Sequence, residues 1–179
     1  MNTGDKNVIV NIQPFSGIPD EYVAYVYDEL KKVYPFISLR KPIKLPELAY
    51  NSHRNRYRAD SLIRFLKSRT PDGEVTIGLT RKDISYTKGE IADYGIMGLG
   101  YMPGQACVVS CFRLNKEKIK IQLFKVTIPE LGHTQGLPHC RVKTCYMRSA
   151  EGKNHTDEED GFCKDCKKFL VSKGWKFEN

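Results

Sequence analysis

The feature that most constrains this chain lies near its C-terminal end. Cys140, Cys145, Cys163 and Cys166 follow the spacing C-x4-C-x17-C-x2-C. Two close pairs separated by a loop can set four sulfurs tetrahedrally around one Zn²⁺, which imposes no d-electron geometry of its own. Arg141, Lys143, Lys164, Lys167 and Lys168 stand beside these cysteines and favour the thiolate form. An iron–sulfur cluster uses the same donor set, and four unrelated buried thiols are the plain alternative. A closed four-cysteine site has no open coordination position. Its expected role is therefore structural, with ion binding doubling as folding energy for a segment poor in core residues. Six cysteines in 179 residues are too few for a disulfide-stapled secreted domain. In a reducing compartment such clusters suggest metal first. Cys107 and Cys111 fall in an apolar run and read as core fillers.

Upstream, the hydrophobic periodicity predicts alternating strands and helices. Asn7–Phe15 alternates Val8, Val10 and Ile12 as a strand. Asp20 is expected to cap a helix over 21–34, with Tyr22, Val26, Leu30 and Val33 as its apolar stripe. Phe36–Leu39 reads as a short strand, 42–55 as a proline-marked loop, and 57–68 as a second helix with Leu62, Ile63, Phe65 and Leu66 inward. Strands are expected at 74–80, 94–101 and 106–114, and a helix over 116–131. The order βαβαβ, then β-rich, predicts an α/β (α+β) fold, a mixed sheet with packed helices. Residues 1–139 form the expected core and 140–179 a four-cysteine segment packed as part of the same domain. The acidic run Asp157-Glu158-Glu159-Asp160 reads as a solvated loop.

Between these regions lies Ile128–Cys140, IPELGHTQGLPHC. With His in place of Pro129 it would read H-E-x-x-H-x-x-G-x-x-H. In that motif two histidines one helical turn apart grip one zinc ion, and the intervening Glu is general base on its water. A Gly then turns the chain and a third His returns as the last protein ligand. Glu130, His133, Gly136 and His139 stand at those offsets.

This string, continued through Cys140, Cys145, Met147, Cys163 and Cys166, resembles the archaemetzincin family of metzincin zinc metalloproteases. The resemblance implies a metzincin-like mixed sheet, an active-site helix, zinc-dependent peptide hydrolysis and a structural zinc on the four cysteines. It also implies a methionine beneath the catalytic metal, at Met147, and a sheet-edge strand at 106–114 that accepts an extended peptide substrate or ligand. An ordinary sheet element is the plain reading of that strand.

Pro129 departs from the pattern. It offers no ring nitrogen and no backbone N–H, and a mid-helix proline costs about 3 kcal/mol. The helix is expected to kink or break near Ile128. Catalytic zinc usually has three protein ligands, and here His133 and His139 remain. The second zinc is therefore expected to be absent or weakly held, and hydrolysis lost or weak. The alternatives are a rebuilt set, with His155 or His53 as substitute ligand, or Glu130 turned onto the metal at the expense of the base.

The formal charge of +8 and sequence pI near 9.1 raise a nucleic-acid or acidic-membrane interface. The lysines and arginines are spread along the chain, which reads as a basic surface instead. Tyr146, Phe162 and Trp175 with nearby lysines would be the platform of a nucleic-acid-binding zinc module, and Phe162 and Trp175 read better as packing of the zinc lobe. No run of 18 apolar residues appears, so no membrane span is expected. The N-terminus lacks a secretory pattern, which points to the cytoplasm.

Overall fold

The computed structural model describes residues 7–178. A five-stranded sheet has the order β2-β1-β5-β9-β8. Its strands are β1 (Ile9–Pro14), β2 (Ile37–Leu39), β5 (Glu74–Thr80), β8 (Gly98–Gly100) and β9 (Ala106–Ser110). Neighbouring strands run parallel except β8, which pairs antiparallel with β9 and forms one edge. Helices α1 (Asp20–Val33) and α3 (Ile119–Thr134) cover one face and α2 (Ala59–Lys67) the other.

Period-2 alternation decides which side chains meet which helix. Val75, Ile77 and Leu79 of β5, with Cys107 and Val109 of β9, join the core under α1 and α3. Ala106 and Val108 face α2 through Leu62, Ile63 and Leu66. Gly78 belongs to that second face. A Cβ there would stand 2.6 Å from Leu66 Cδ1, so only glycine lets α2 settle so close. Cys107 and Cys111 are buried as expected, and burial pushes both thiols up.

A second, four-stranded sheet has the order β3-β4-β6-β7, from β3 (Tyr50–Asn51), β4 (Arg56–Arg58), β6 (Ile84–Lys88) and β7 (Ile91–Ile96). It is pinned by buried Asp83, which pairs with Arg56 at 2.8 Å and accepts two bonds from Arg113. A last helix, α4 (Lys164–Val171), sends Leu170 into the main core. No helix of the described residues is long and apolar enough to cross a membrane.

Several expectations are corrected here. Pro19, not Asp20, holds the cap position of α1. Its φ of −60° starts the helix without a side-chain bond, and Asp20 already lies in the first turn. The predicted loop 42–55 contains β3, and Tyr57 belongs to β4 rather than to the second helix. The strand expected over 94–101 is two strands: the chain passes from the small sheet to the large one at Met97, where β7 ends and β8 begins. The strand at Ala106 is not the sheet edge. It is paired on both sides, and the edge is β8.

Helix α3 begins three residues later than expected and runs unbroken through Pro129 to Thr134. Leu123, Ile128 and Leu131 are fully buried on it. Burying each contributes roughly 1.5–3 kcal/mol, enough together to exceed the cost of one interior proline.

The acidic run is not wholly solvated. Asp157 accepts bonds from Lys118 and Gln122, and Glu159 is only 7% exposed. Burial pushes the Glu159 carboxyl from its ordinary 4.5 up to about 7, against the opposing pull of Lys125 and Arg148. The unfolded chain gives up this proton near its ordinary value while the native chain keeps it. Stability is therefore lost as pH rises through this window, by about 3 kcal/mol at most. Glu159→Gln is expected to raise the melting temperature at pH 8 and to leave it nearly unchanged at pH 4. Equal effects at both pH values would contradict this account.

Candidate active-site groove and cysteine metal centre

The end of α3 fixes the two histidines relative to each other. Gly136, at φ +95°, donates its N–H to His133 O at 2.9 Å, and Leu137 N donates to Gly132 O at 3.0 Å. These two bonds form a Schellman turn, which requires a left-handed residue and therefore favours glycine. The chain doubles back and brings His139 to His133, with ring centroids 4.6 Å apart at 83°. His133 Nδ1 lies 2.8 Å from Leu137 O. A carbonyl only accepts, so Nδ1 carries the proton and Nε2 keeps its lone pair. Burial lowers the pKa of His133 and of His139, which keeps both rings neutral at pH 7.

Lys125, Pro129 and His133 occupy successive turns of one helix face, and that face lines a groove of about 690 Å³. Glu130 lies beside it against the edge strand. A Cβ on Gly98 would stand 2.9 Å from Glu130 Oε1, and one on Gly100 3.0 Å from Oε2. The two glycines thus leave room for the carboxyl, and desolvation pushes it up to about 8. Met147 is fully buried beneath the helix, and a Cβ on Gly132 would lie 3.0 Å from its sulfur. The sequence-derived residues Glu130, His133, His139 and Met147 are therefore gathered around one stretch of α3.

His155 also lines the groove, with its Nδ1 3.7 Å from a Glu158 oxygen. His53 sits in the exposed turn between β3 and β4 and is not part of the groove lining.

The four cysteines come together as their spacing predicts. One ligand atom from each of Cys140, Cys145, Cys163 and Cys166 lies within 4.8 Å of the others. The Cys140 and Cys163 sulfurs are 3.7 Å apart. Zn–S bonds of about 2.3 Å at tetrahedral angles require sulfur–sulfur edges of about 3.8 Å, so the donor set fits zinc. Among the described residues this is the one group of three or more His, Cys, Asp or Glu side chains placed closely enough for an ion. His133 and His139 have no third partner of that kind among the described residues.

Phe162, Trp175 and Phe177 pack edge-on and stacked beside this centre, and Trp175 continues to Tyr34 at 5.6 Å. Trp175 Nε1 donates to Gln135 Oε1 at 2.7 Å. Tyr146 lies edge-on to Phe124 and Phe162. These aromatics build the joint between the cysteine centre and the core, as read from the sequence for Phe162 and Trp175.

Three parts of the site escape a reading of the sequence alone. Lys125 crosses the groove wall, its ammonium donating to Thr156 O and Glu159 O. Segment 149–156 forms the opposite wall, and Gly152 there meets the Tyr94 hydroxyl of β7. The Gly98-Leu99-Gly100 edge is the third. Two glycines at period 2 are a legible sign of close approach on one strand face, although not of what approaches.

The profile of peptidase family M54 matches residues 6–172. The archaemetzincin of Haloquadratum walsbyi is 29% identical over 177 residues, covering 91% of this chain and 99% of that protein. The archaemetzincin of Archaeoglobus fulgidus is 31% identical over 164 residues, covering 88% and 95%. The crystal structure of the A. fulgidus protein complexed with malonate superposes with a TM-score of 0.78 at 28% identity, over 90% of this chain and 99% of that one. The archaemetzincin of Methanopyrus kandleri gives 0.80 at 25%, over 96% and 98%. Fold, spacing and kinship agree, and the chain belongs to peptidase family M54, the zinc metallopeptidases that include the archaemetzincins.

Proposed function

We propose that this chain keeps the peptide groove of an M54 peptidase while its reactive metal site is incomplete, so that peptide hydrolysis is lost or weak. The supporting observation is the groove face of α3. Pro129 stands one turn before His133, where the resemblance puts the first imidazole, and among the described residues His133 and His139 lack a third donor. Cys140, Cys145, Cys163 and Cys166 hold a structural zinc, which closes the C-terminal lobe and supplies folding energy without an open coordination position.

The remaining parts of the site suit peptide binding. Strand β8 pairs on one side only, so the backbone groups of its other side can add an extended peptide by strand addition. This replaces the strand at Ala106 as the docking edge. His133, with Nε2 unprotonated, and neighbouring His139 can accept hydrogen bonds from such a peptide. In an intact site zinc would polarise the scissile carbonyl and activate water, with Glu130 as general base. A second reading, an active enzyme with a rebuilt ligand set, draws on His155 lining the same groove.

Metal analysis separates the two. The protein is expected to bind one zinc per chain, retained in cysteine-to-serine-sensitive form, and to show no chelator-sensitive peptidase activity. Two zinc ions per chain, or cleavage of a peptide that a chelator stops, would favour the rebuilt site. Pro129→His is expected to raise the zinc content to two per chain and to gain measurable peptidase activity. The same variant is expected to melt at a higher temperature in zinc, because the substitution also restores a helix N–H. Unchanged zinc content in a folded Pro129→His variant would count against the incomplete-site reading.

A further inference from the structure

The groove's walls carry an excess of positive charge. Lys88, Arg113, Lys125, Arg148 and Lys153 line it. Its carboxylates are Glu130, Glu151 and Glu159. Two of these are withdrawn from a ligand: Glu130 is tucked against Gly98 and Gly100, and Glu159 is 7% exposed. Only Glu151 is an exposed acid.

Arg148 is paired with Glu158, and the other four cations are incompletely neutralised. Arg113 is paired with Asp83, but Asp83 is shared with Arg56, so two guanidiniums answer one carboxylate. Lys125 spends its bonds on two uncharged carbonyls, Thr156 O and Glu159 O. Lys88 lies over the Tyr94 ring at 4.6 Å. Lys153 follows Gly152, whose backbone meets the hydroxyl of that same Tyr94. Lys88 and Lys153 therefore flank one contact, where segment 149–156 meets the β6–β7 hairpin at the groove rim. Charges of one sign along low-dielectric walls focus a field into a cleft and select ligands by charge.

We infer that this groove is selective for acidic peptides, with Lys88 and Lys153 at the rim as the charge-reading residues. The inference rests on the peptide-groove reading and adds the chemistry of the occupant. An extended peptide satisfies the unpaired side of β8 with its backbone while its Asp or Glu side chains reach the cationic walls. A nucleic acid offers anionic charge but no strand to add to β8, and Tyr146, Phe162 and Trp175 are engaged in packing rather than offered for base stacking.

The test is fluorescence polarisation with the full chain and three labelled peptides: an Asp/Glu-rich one, its Asn/Gln counterpart and a Lys-rich one. The acidic peptide is expected to bind about tenfold more tightly than its amide counterpart, with the margin shrinking as salt is added. Lys88→Glu/Lys153→Glu is expected to abolish that margin while the amide peptide still binds. Lys31→Glu/Lys32→Glu, the same charge change on exposed α1, is expected to preserve it.

Equal binding of acidic and amide peptides overturns the charge inference and leaves the groove reading standing. Failure of all three peptides to bind removes the groove reading itself, and the inference with it. An equal loss in the α1 variant assigns the preference to diffuse surface charge and overturns the rim assignment. Tighter binding of a single-stranded oligonucleotide in competition overturns the choice of a peptide.

Discussion

The structure depends on the burial of α3. The helix packs on α1, on β8 and β9, and beneath the cysteine lobe, so that ten of its residues are buried. Toward the groove it presents Lys125, Pro129 and His133, three positions one turn apart, flanked by Val126 and Glu130. A proline on the packed side would drive its ring and the displaced carbonyl of residue i−4 into neighbours. On the groove side the same clash falls on the Lys125 carbonyl, beside space rather than packed side chains. The placement explains how the helix stays continuous through Pro129 and why the proline borders the groove instead of the core.

From α3 the constraint passes to the cysteine centre. Segment 149–156 walls the groove, and its stem residues are held at Cys145 and Cys163, two members of the sulfur cluster. Lys125 ties the chain between Cys145 and Cys163 to the helix through Thr156 O and Glu159 O, and Arg148 pairs with Glu158 within the same span. Met147, two residues beyond Cys145, fills the space under Gly132. The centre that closes the C-terminal lobe thereby shapes the groove without facing it. A structural ion can in this way be necessary to a binding surface to which it contributes no ligand contact.

Much of this was legible in the sequence because it follows from spacing within short segments. The sulfur cluster, the return of His139 at Gly136 and the strand at 74–80 depend on local geometry and periodicity, and each is where the residues predict. What was not legible depends on partners distant in sequence. The isolated pattern ACVVS says strand, but its place inside the sheet is decided by β5 and β8 on its two sides. Tyr94–Tyr101 looks continuous, yet its halves belong to different sheets. Glu159 lies in a run of acids that composition assigns to solvent, and only the folded wall against Lys125 buries it. Pro129 is the reverse case: local propensity predicts a kink or a break, and tertiary burial keeps the helix continuous.

The proposed incomplete site separates two kinds of interaction that an enzyme normally combines. An ion in the groove stabilises charge that develops in the transition state, whereas an edge strand and charged walls bind substrate and transition state alike. Removing the first leaves the second, so catalysis can fall by orders of magnitude while affinity for the peptide remains. A dication in that site would also shift the electrostatic balance. A groove with bound Zn²⁺ would gain two positive charges beside Lys125, on the same helix face, at a cost in repulsion. Such an ion would add to the attraction for an anionic ligand, so in a groove without one the preference has to come from the side chains of its walls alone. On the incomplete-site proposal the groove's field is set by side chains, and the surplus of lysine and arginine along its walls attracts anions.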